Sequence, residues 1–242
     1  MAAVRTARGP AVHAYRGDAM TLPQSRPAMR TAADDGADVR EMVGVPPLRV
    51  VGIAGSLRRA SLNRALLDAA QHLAPAGMTI ITEELHDIPP FNADVDGPTP
   101  PAPVARLRTA VGSADGLLLV SPEYNHGVPG ILKNAIDWLS QPRHGNVLDR
   151  RPTAIMGAST GAGGTARGQS QLRESFVLTN TPVMLQPEIL VGRAHEKFDA
   201  EGTLIDEATR NWVRAFLVRF EEHIREQQYV QSVARPTMIS GR

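Results

Sequence analysis

From residue 48 onward, short apolar runs alternate with stretches whose apolar positions recur every three or four residues. LRVVGIAG (48–55) is a β-branched run ending in glycine, the pattern of a strand buried on both faces. Leu62, Ala65, Leu66, Ala69, Ala70 and Leu73 then fall at helical spacing, closed by Pro75 and Gly77. MTIITEEL (78–85) reads as a second strand, and a proline-rich loop over 89–103 leads to a helix around 102–113. GLLLVSPEY (116–124) is a third strand and VPGILKNAIDWLSQ (128–141) the helix after it. PTAIMGAST (152–160) is a fourth strand, followed through a glycine-rich turn by a helix over roughly 165–179. PVMLQPEIL (182–190) reads as a fifth strand. Val213, Phe216, Leu217, Phe220 and Ile224 mark a last amphipathic helix, with a frayed tail after about 228.

Five buried strands with helices between them predict an α/β fold, a parallel sheet joined by right-handed crossovers. Five strands suit the order 2-1-3-4-5 better than a six-stranded dinucleotide fold, and in either case ligands bind beyond the carboxyl ends of the strands. Three domains of unequal character follow: an extension over 1–46, a ligand-binding domain over 47–228 and a tail over 229–242. The extension is rich in Ala, Arg, Pro and Asp and lacks any sustained period, which reads as disorder. Its Asp18, Asp34, Asp35 and Asp38 weigh against a transit peptide, and a translation start at Met42 is the other reading.

Composition narrows the function. With 42% hydrophobic and 21% charged residues the chain can build a sizeable core. A formal net charge of +1 and 4% aromatic residues argue against a nucleic-acid partner. The absence of cysteine excludes disulfides, thiolate metal sites and a cysteine nucleophile. No apolar run reaches the roughly 20 residues of a membrane span, and no secretory apolar segment opens the chain. A cytoplasmic protein with no membrane partner is the expectation.

Three loops at the strand ends carry the candidate chemistry. GSLRRASLN (55–63) puts Ser56, Arg58, Ser61 and Asn63 at the start of a helix, a donor-rich setting for a phosphate monoester. The competing reading is a capping segment with Ser61 as N-cap and the arginines solvated. SPEYNHGVPG (121–130) is stiffened by Pro122 and Pro129 and suits a flat heterocycle, with Tyr124 against a ring and Asn125 at its polar edge. Glu123 either takes a ligand proton or binds neighbouring N–H groups. His126 is either a substrate contact or an exposed loop histidine. GASTGAGG (157–164) offers Ser159 and the bare backbone of Gly161, or is a connector that merely turns. No metal site stands out among the seven histidines.

GASTG also matches the nucleophile elbow G-x-S-x-G, which makes a serine hydrolase one alternative. Ser159 would then attack an acyl group, with Asp199 or Asp206 and His223 completing a triad. That reading leaves the first two loops unused and places its histidine inside the last helix.

GSLRRASLN (55–63) and SPEYNHGVPGILKNAIDWLS (121–140), with GGTARGQSQLR (163–173), closely resemble the NADPH-dependent FMN reductase family, which includes quinone, azo and chromate reductases. The resemblance spans about 48–225. It implies a flavodoxin-like three-layer sandwich that binds FMN, with NADPH or NADH as co-substrate, assembled as a homodimer or homotetramer. By the resemblance, Ser56, Arg58, Ser61 and Asn63 hold the FMN phosphate. Pro122, Glu123, Tyr124 and Asn125 line the isoalloxazine, and Ser159 with Gly161 meets its far edge. It further implies hydride transfer from NAD(P)H to FMN, then reduction of a quinone, azo compound, chromate or similar small-molecule acceptor in ping-pong turnover, with no catalytic side chain assigned. A flavodoxin-like electron carrier without a nicotinamide site is the non-enzymatic alternative.

Overall fold

The computed structural model describes residues 46–234. Except for Pro46, the expected extension lies outside the described residues, as do residues 235–242 of the expected tail. Five strands form one parallel sheet: β1 (Leu48–Ala54), β2 (Met78–Glu83), β3 (Gly116–Val120), β4 (Thr153–Ala158) and β5 (Ile189–Val191). Their order is β2-β1-β3-β4-β5, the flavodoxin-like arrangement. The register pairs Val51 of β1 with both Ile81 and Leu117, and Leu119 of β3 with Ile155.

Helices α1 (Leu62–Leu73) and α5 (Glu207–Val233) cover one face; α2 (Ala102–Gly112), α3 (Gly130–Leu139) and α4 (Ala166–Leu178) cover the other. Alternate residues of each central strand enter the two cores. Val50, Leu118, Val120 and Met156 join Leu66, Phe216 and Phe220 under α1 and α5, whereas Val51, Ile53, Leu117, Leu119 and Ile155 join Leu107, Ile136 and Phe176. This two-sided burial is why the strands read as continuous apolar runs rather than as alternating ones.

Three boundaries differ most from expectation: the third strand, expected over 116–124, stops at Val120, ahead of Pro122, and two lie later in the chain. The fifth strand is displaced from 182–190 to Ile189–Val191; of the earlier residues, Val183 makes an isolated parallel bridge to Thr153. Pro182 and Pro187 lack the N–H that a ladder requires, so the apolar run cannot pair along its length. The last helix continues past 228 to Val233, because residues 225–232 are mostly good helix formers and the next proline is Pro236.

Candidate functional site

The first loop leaves the sheet at Gly55, whose N–H donates to the Val120 carbonyl of the neighbouring strand at 2.9 Å. Ser56 is half-buried and its Oγ shares a hydrogen bond with Tyr124 Oη at 3.2 Å, tying the first loop to the second. Leu57, Arg58, Arg59 and Ala60 are exposed. Among the described residues, the N–H groups of Leu57, Arg59 and Ala60 meet no acceptor, and neither guanidinium meets a carboxylate. Ser61 is the N-cap of α1: its buried Oγ accepts from Arg64 N at 3.3 Å and keeps its own O–H to donate.

Asn63 is placed differently from what the resemblance implies. Its side chain is buried, with Nδ2 donating to Ala158 O at 2.9 Å and Oδ1 accepting from Ala158 N at 2.8 Å. The amide thus substitutes for a strand edge at the end of β4. It fixes the start of α1, and with it the first loop, to the sheet.

The second loop contains a tight reversal. Tyr124 N donates to Gly127 O at 3.1 Å and Gly127 N to Tyr124 O at 2.9 Å, with Asn125 at φ 51° and His126 at φ 62° between them. Two central residues of positive φ make this a type I′ turn; asparagine and histidine tolerate that region better than most side chains. The turn leaves Tyr124 51% exposed beside the first loop, while Pro122 is buried beneath it, where a Cβ on Gly55 would come within 3.2 Å of its Cδ.

Glu123 resolves in favour of the second of its two readings. Its Oε2 accepts from Gly168 N at 2.9 Å, and its Oε1 lies 3.2 Å from His126 Nδ1. Thr165, the N-cap of α4, offers no side-chain cap, so a carboxylate from the second loop serves the free N–H groups of that helix instead. The Gly168 N–H holds the carboxyl pKa below its ordinary 4.5, with His126 and the Arg167 N–H adding to the effect. Glu123 is therefore an ionised helix cap joining the second loop to the third.

The third loop begins at Gly157, where any side chain is excluded: a Cβ would lie 2.2 Å from Ser121 O and 2.3 Å from Thr165 Oγ1. Ser159 N donates to Val191 O at 2.9 Å, and its Oγ accepts from Gly161 N at 3.2 Å. Gly161 and Gly163 are exposed, and a Cβ on Gly163 would meet nothing within 4 Å. The loop therefore presents bare backbone to solvent. Arg193 N reaches Gly161 O at 3.1 Å and Ala194 N reaches Ser159 O at 2.9 Å, so the exit of β5 braces it from outside.

Ser56, Tyr124 and the first-loop arginines thus gather at one edge of the sheet with Asn125, Ser159 and Gly161, whereas Asn63 and Glu123 act between loops. Residues the sequence reading did not single out complete the site. Buried Thr165 sits under Gly157 and accepts from Gln169 Nε2 at 3.0 Å. Arg167 lies against His126. Arg193 holds φ 47°. Thr165 and Arg167 lie within the quoted GGTARGQSQLR segment, the one signal that pointed to them; nothing local marked Arg193.

The triad does not assemble. His223 Nε2 lies 3.0 Å from Pro182 O, and Asp206 caps α5 through Thr209 N at 2.9 Å while receiving Lys197 Nζ at 3.0 Å. The Thr209 hydroxyl, which donates to the same carboxylate, together with Lys197 and the Thr209 N–H lowers the Asp206 pKa to about 2. Asp199 accepts from Glu201 N and Thr203 N within its own turn. The serine hydrolase alternative is therefore set aside. Among the described residues no group of three or more His, Cys, Asp or Glu side chains could hold a metal ion, and no helix is long and apolar enough to cross a membrane.

The sequence model of the NADPH-dependent FMN reductases matches residues 48–196, which span all five strands and all three loops. The chain belongs to that family. An NAD(P)H-dependent FMN reductase of Pseudomonas aeruginosa is 40% identical over 178 residues, covering 74% of this chain and 96% of its own. A 2-hydroxy-1,4-benzoquinone reductase from a Burkholderia species is 37% identical over 182 residues, covering 75% and 98%. Among solved structures, the flavoenzyme NAD(P)H:(acceptor) oxidoreductase of Paracoccus denitrificans superimposes with a TM-score of 0.67 at 33% identity, covering 74% of this chain and 98% of its own. The relatives match nearly end to end within the described region, so the family assignment covers the whole sheet and its loop edge.

Proposed function

We propose that this chain is an FMN-dependent NAD(P)H oxidoreductase acting on quinone-type acceptors, with the FMN phosphate held by the first loop. The observation that carries the reading is the set of donors there. The N–H groups of Leu57, Arg59 and Ala60, unmet among the described residues, lie with the Ser56 and Ser61 hydroxyls and the exposed Arg58 at a helix N-terminus, where no described carboxylate pairs with Arg58. Such a setting favours a terminal phosphate, since the N–H dipoles and the guanidinium all oppose its charge.

Tyr124 and Asn125 would flank the flat ring, on a turn whose geometry is fixed before anything binds. The bare backbone between Ser159 and Gly163 would approach the ring edge, unobstructed by side chains. Glu123 and Asn63 would hold these three loops in register, the first by capping α4 and the second by pinning α1 to β4. The chemistry FMN supplies when bound is two-electron transfer between a reduced nicotinamide and the acceptor. Uncommitted backbone N–H groups beside the ring would favour its negatively charged form, the electrostatic part left to the protein.

Beyond quinones, azo compounds and chromate remain within the proposed acceptor range. A cytoplasmic homodimer or homotetramer is proposed with it, supported by Val177 and Leu178, which are 82% and 95% exposed at the end of α4. The test is the visible spectrum of the purified protein before and after anaerobic NADPH. A yellow protein that NADPH bleaches and a quinone recolours is expected. A yellow protein that NADPH leaves untouched would make it an electron carrier, and one that never takes up FMN would refute the site.

A further inference from the structure

The site edge carries more positive charge than a single phosphate requires. Besides Arg58 and Arg59, the exposed Arg167 and Arg193 flank the glycine loop from two sides, one in the first turn of α4 and one just after β5. Neither forms an ion pair among the described residues. Arg167 Nη1 lies 2.7 Å from Nδ1 and 2.9 Å from Nε2 of His126. Near-equal distances to both ring nitrogens set the guanidinium against the imidazole rather than along a single lone pair. No carboxylate takes part in this contact, so the guanidinium keeps its charge and most of its five donors.

The carboxylates around them are committed. Glu123 takes the Gly168 N–H and His126; Glu196 lies 3.6 Å from His195 Nε2; Asp199 closes its own turn. Arg193 is moreover held at positive φ, a conformation uncommon for a residue with a side chain. No helix ends at that position to explain it. Arg193 caps the short 3-10 turn Ala194–Glu196, and the two backbone bonds that brace the third loop set residue 193 beside that loop.

We infer that Arg167, with Arg193 across the glycine loop, selects second substrates that carry an anionic oxygen group: the 2′-phosphate of NADPH, or a carboxylate or sulfonate on the acceptor. This rests on the function proposed above and names the feature of the second substrate that the site prefers. Guanidinium groups with free paired donors bind such oxygens by short, charge-assisted hydrogen bonds, and Lys cannot reproduce the paired geometry. The imidazole of His126 holds the Arg167 side chain at the rim until an anion replaces it.

The test compares the holoenzyme with Arg167→Ala, Arg167→Lys and Arg193→Ala. Steady-state kcat/KM is measured for NADPH against NADH, and for a neutral against a sulfonated naphthoquinone. Calorimetric binding of adenosine 2′,5′-bisphosphate against adenosine 5′-monophosphate gives a readout without turnover. Loss of one charge-assisted contact is expected to reduce the discrimination by about tenfold in Arg167→Ala, with only part of it kept by Arg167→Lys. A fall confined to NADPH and the bisphosphate identifies the nicotinamide phosphate as the anion. A fall confined to the sulfonated quinone identifies the acceptor. Discrimination unchanged in both arms, in variants that retain FMN, overturns the inference. A wild-type protein that neither retains FMN nor oxidises NADPH overturns the function itself, a different result.

Discussion

The two ends of the sheet use the same residue types to opposite effect. At the amino-terminal end, Arg108 and Arg151 are consumed by the fold, while Arg49, Arg143 and Arg150 stay exposed. Arg108 is buried and donates to the carbonyls of Trp138, Leu139 and Gly145, closing the end of α3, and burial lowers its pKa. Arg151 likewise donates to Gly112 O at the end of α2, and Thr181 Oγ1 donates to Leu148 O at 2.9 Å. At the carboxyl end, Arg58, Arg59 and Arg193 reach no protein acceptor among the described residues, nor do the N–H groups of Leu57, Arg59 and Ala60. Positive φ occurs at both ends, with Arg150 (φ 53°) and Asn180 at the amino-terminal one. Asn180 (φ 55°) directly follows the Thr179 cap of α4, the ordinary left-handed position after a helix, whereas Arg193 stands before a short 3-10 turn, Ala194–Glu196. The N–H groups of Leu57, Arg59 and Ala60, unmet among the described residues, are where, on the proposed function, a ligand supplies the acceptors.

The contrast can be broken from the structural end first. Arg108→Ala leaves buried carbonyls without a donor and should lower stability by about 3 kcal/mol in urea unfolding, with FMN affinity little changed. A matching loss of FMN affinity would mean that the two ends are not separable. Asn63→Ala, which removes both bonds to Ala158, should cost about 2 kcal/mol and also weaken FMN binding, because the first loop loses its anchor. A loss of affinity with full stability would instead put Asn63 in direct contact with the ligand.

Glu123→Gln sharpens the comparison further, with a smaller effect. It keeps the shape of the cap and removes its charge, so it should lower stability by about 1 kcal/mol at neutral pH. Because the folded carboxyl is held below 4.5, the wild-type advantage is fully present above that value and is lost as pH falls through the lower folded value. The two proteins should therefore converge in acid. A gap that persists there would show that the charge is not what holds α4.

Much of this was legible in the sequence, for identifiable reasons. The buried strands β1, β3 and β4 have no competing periodicity, and Ser61 and the three loops fall where the strands end. Strand five was misplaced because apolarity outweighed the missing N–H groups of Pro182 and Pro187. The roles of Asn63 and Glu123 were not legible, since both act on partners distant in sequence: Ala158 lies 95 residues from Asn63, and Gly168 lies 45 from Glu123. A polar residue in a ligand motif carries no local sign of whether it meets the ligand or the next loop. Arg193 was missed for the same reason, because the acceptor of its N–H, Gly161 O, is distant in the chain.

The most direct test of the central claim, that the unmet donors of the first loop hold the FMN phosphate, is the Kd for FMN in wild type and Arg58→Ala, read by flavin fluorescence. The account predicts affinity weakened at least about tenfold by loss of one charge-assisted contact, with urea unfolding of the apoprotein unchanged. Equal affinity in the two proteins would contradict it.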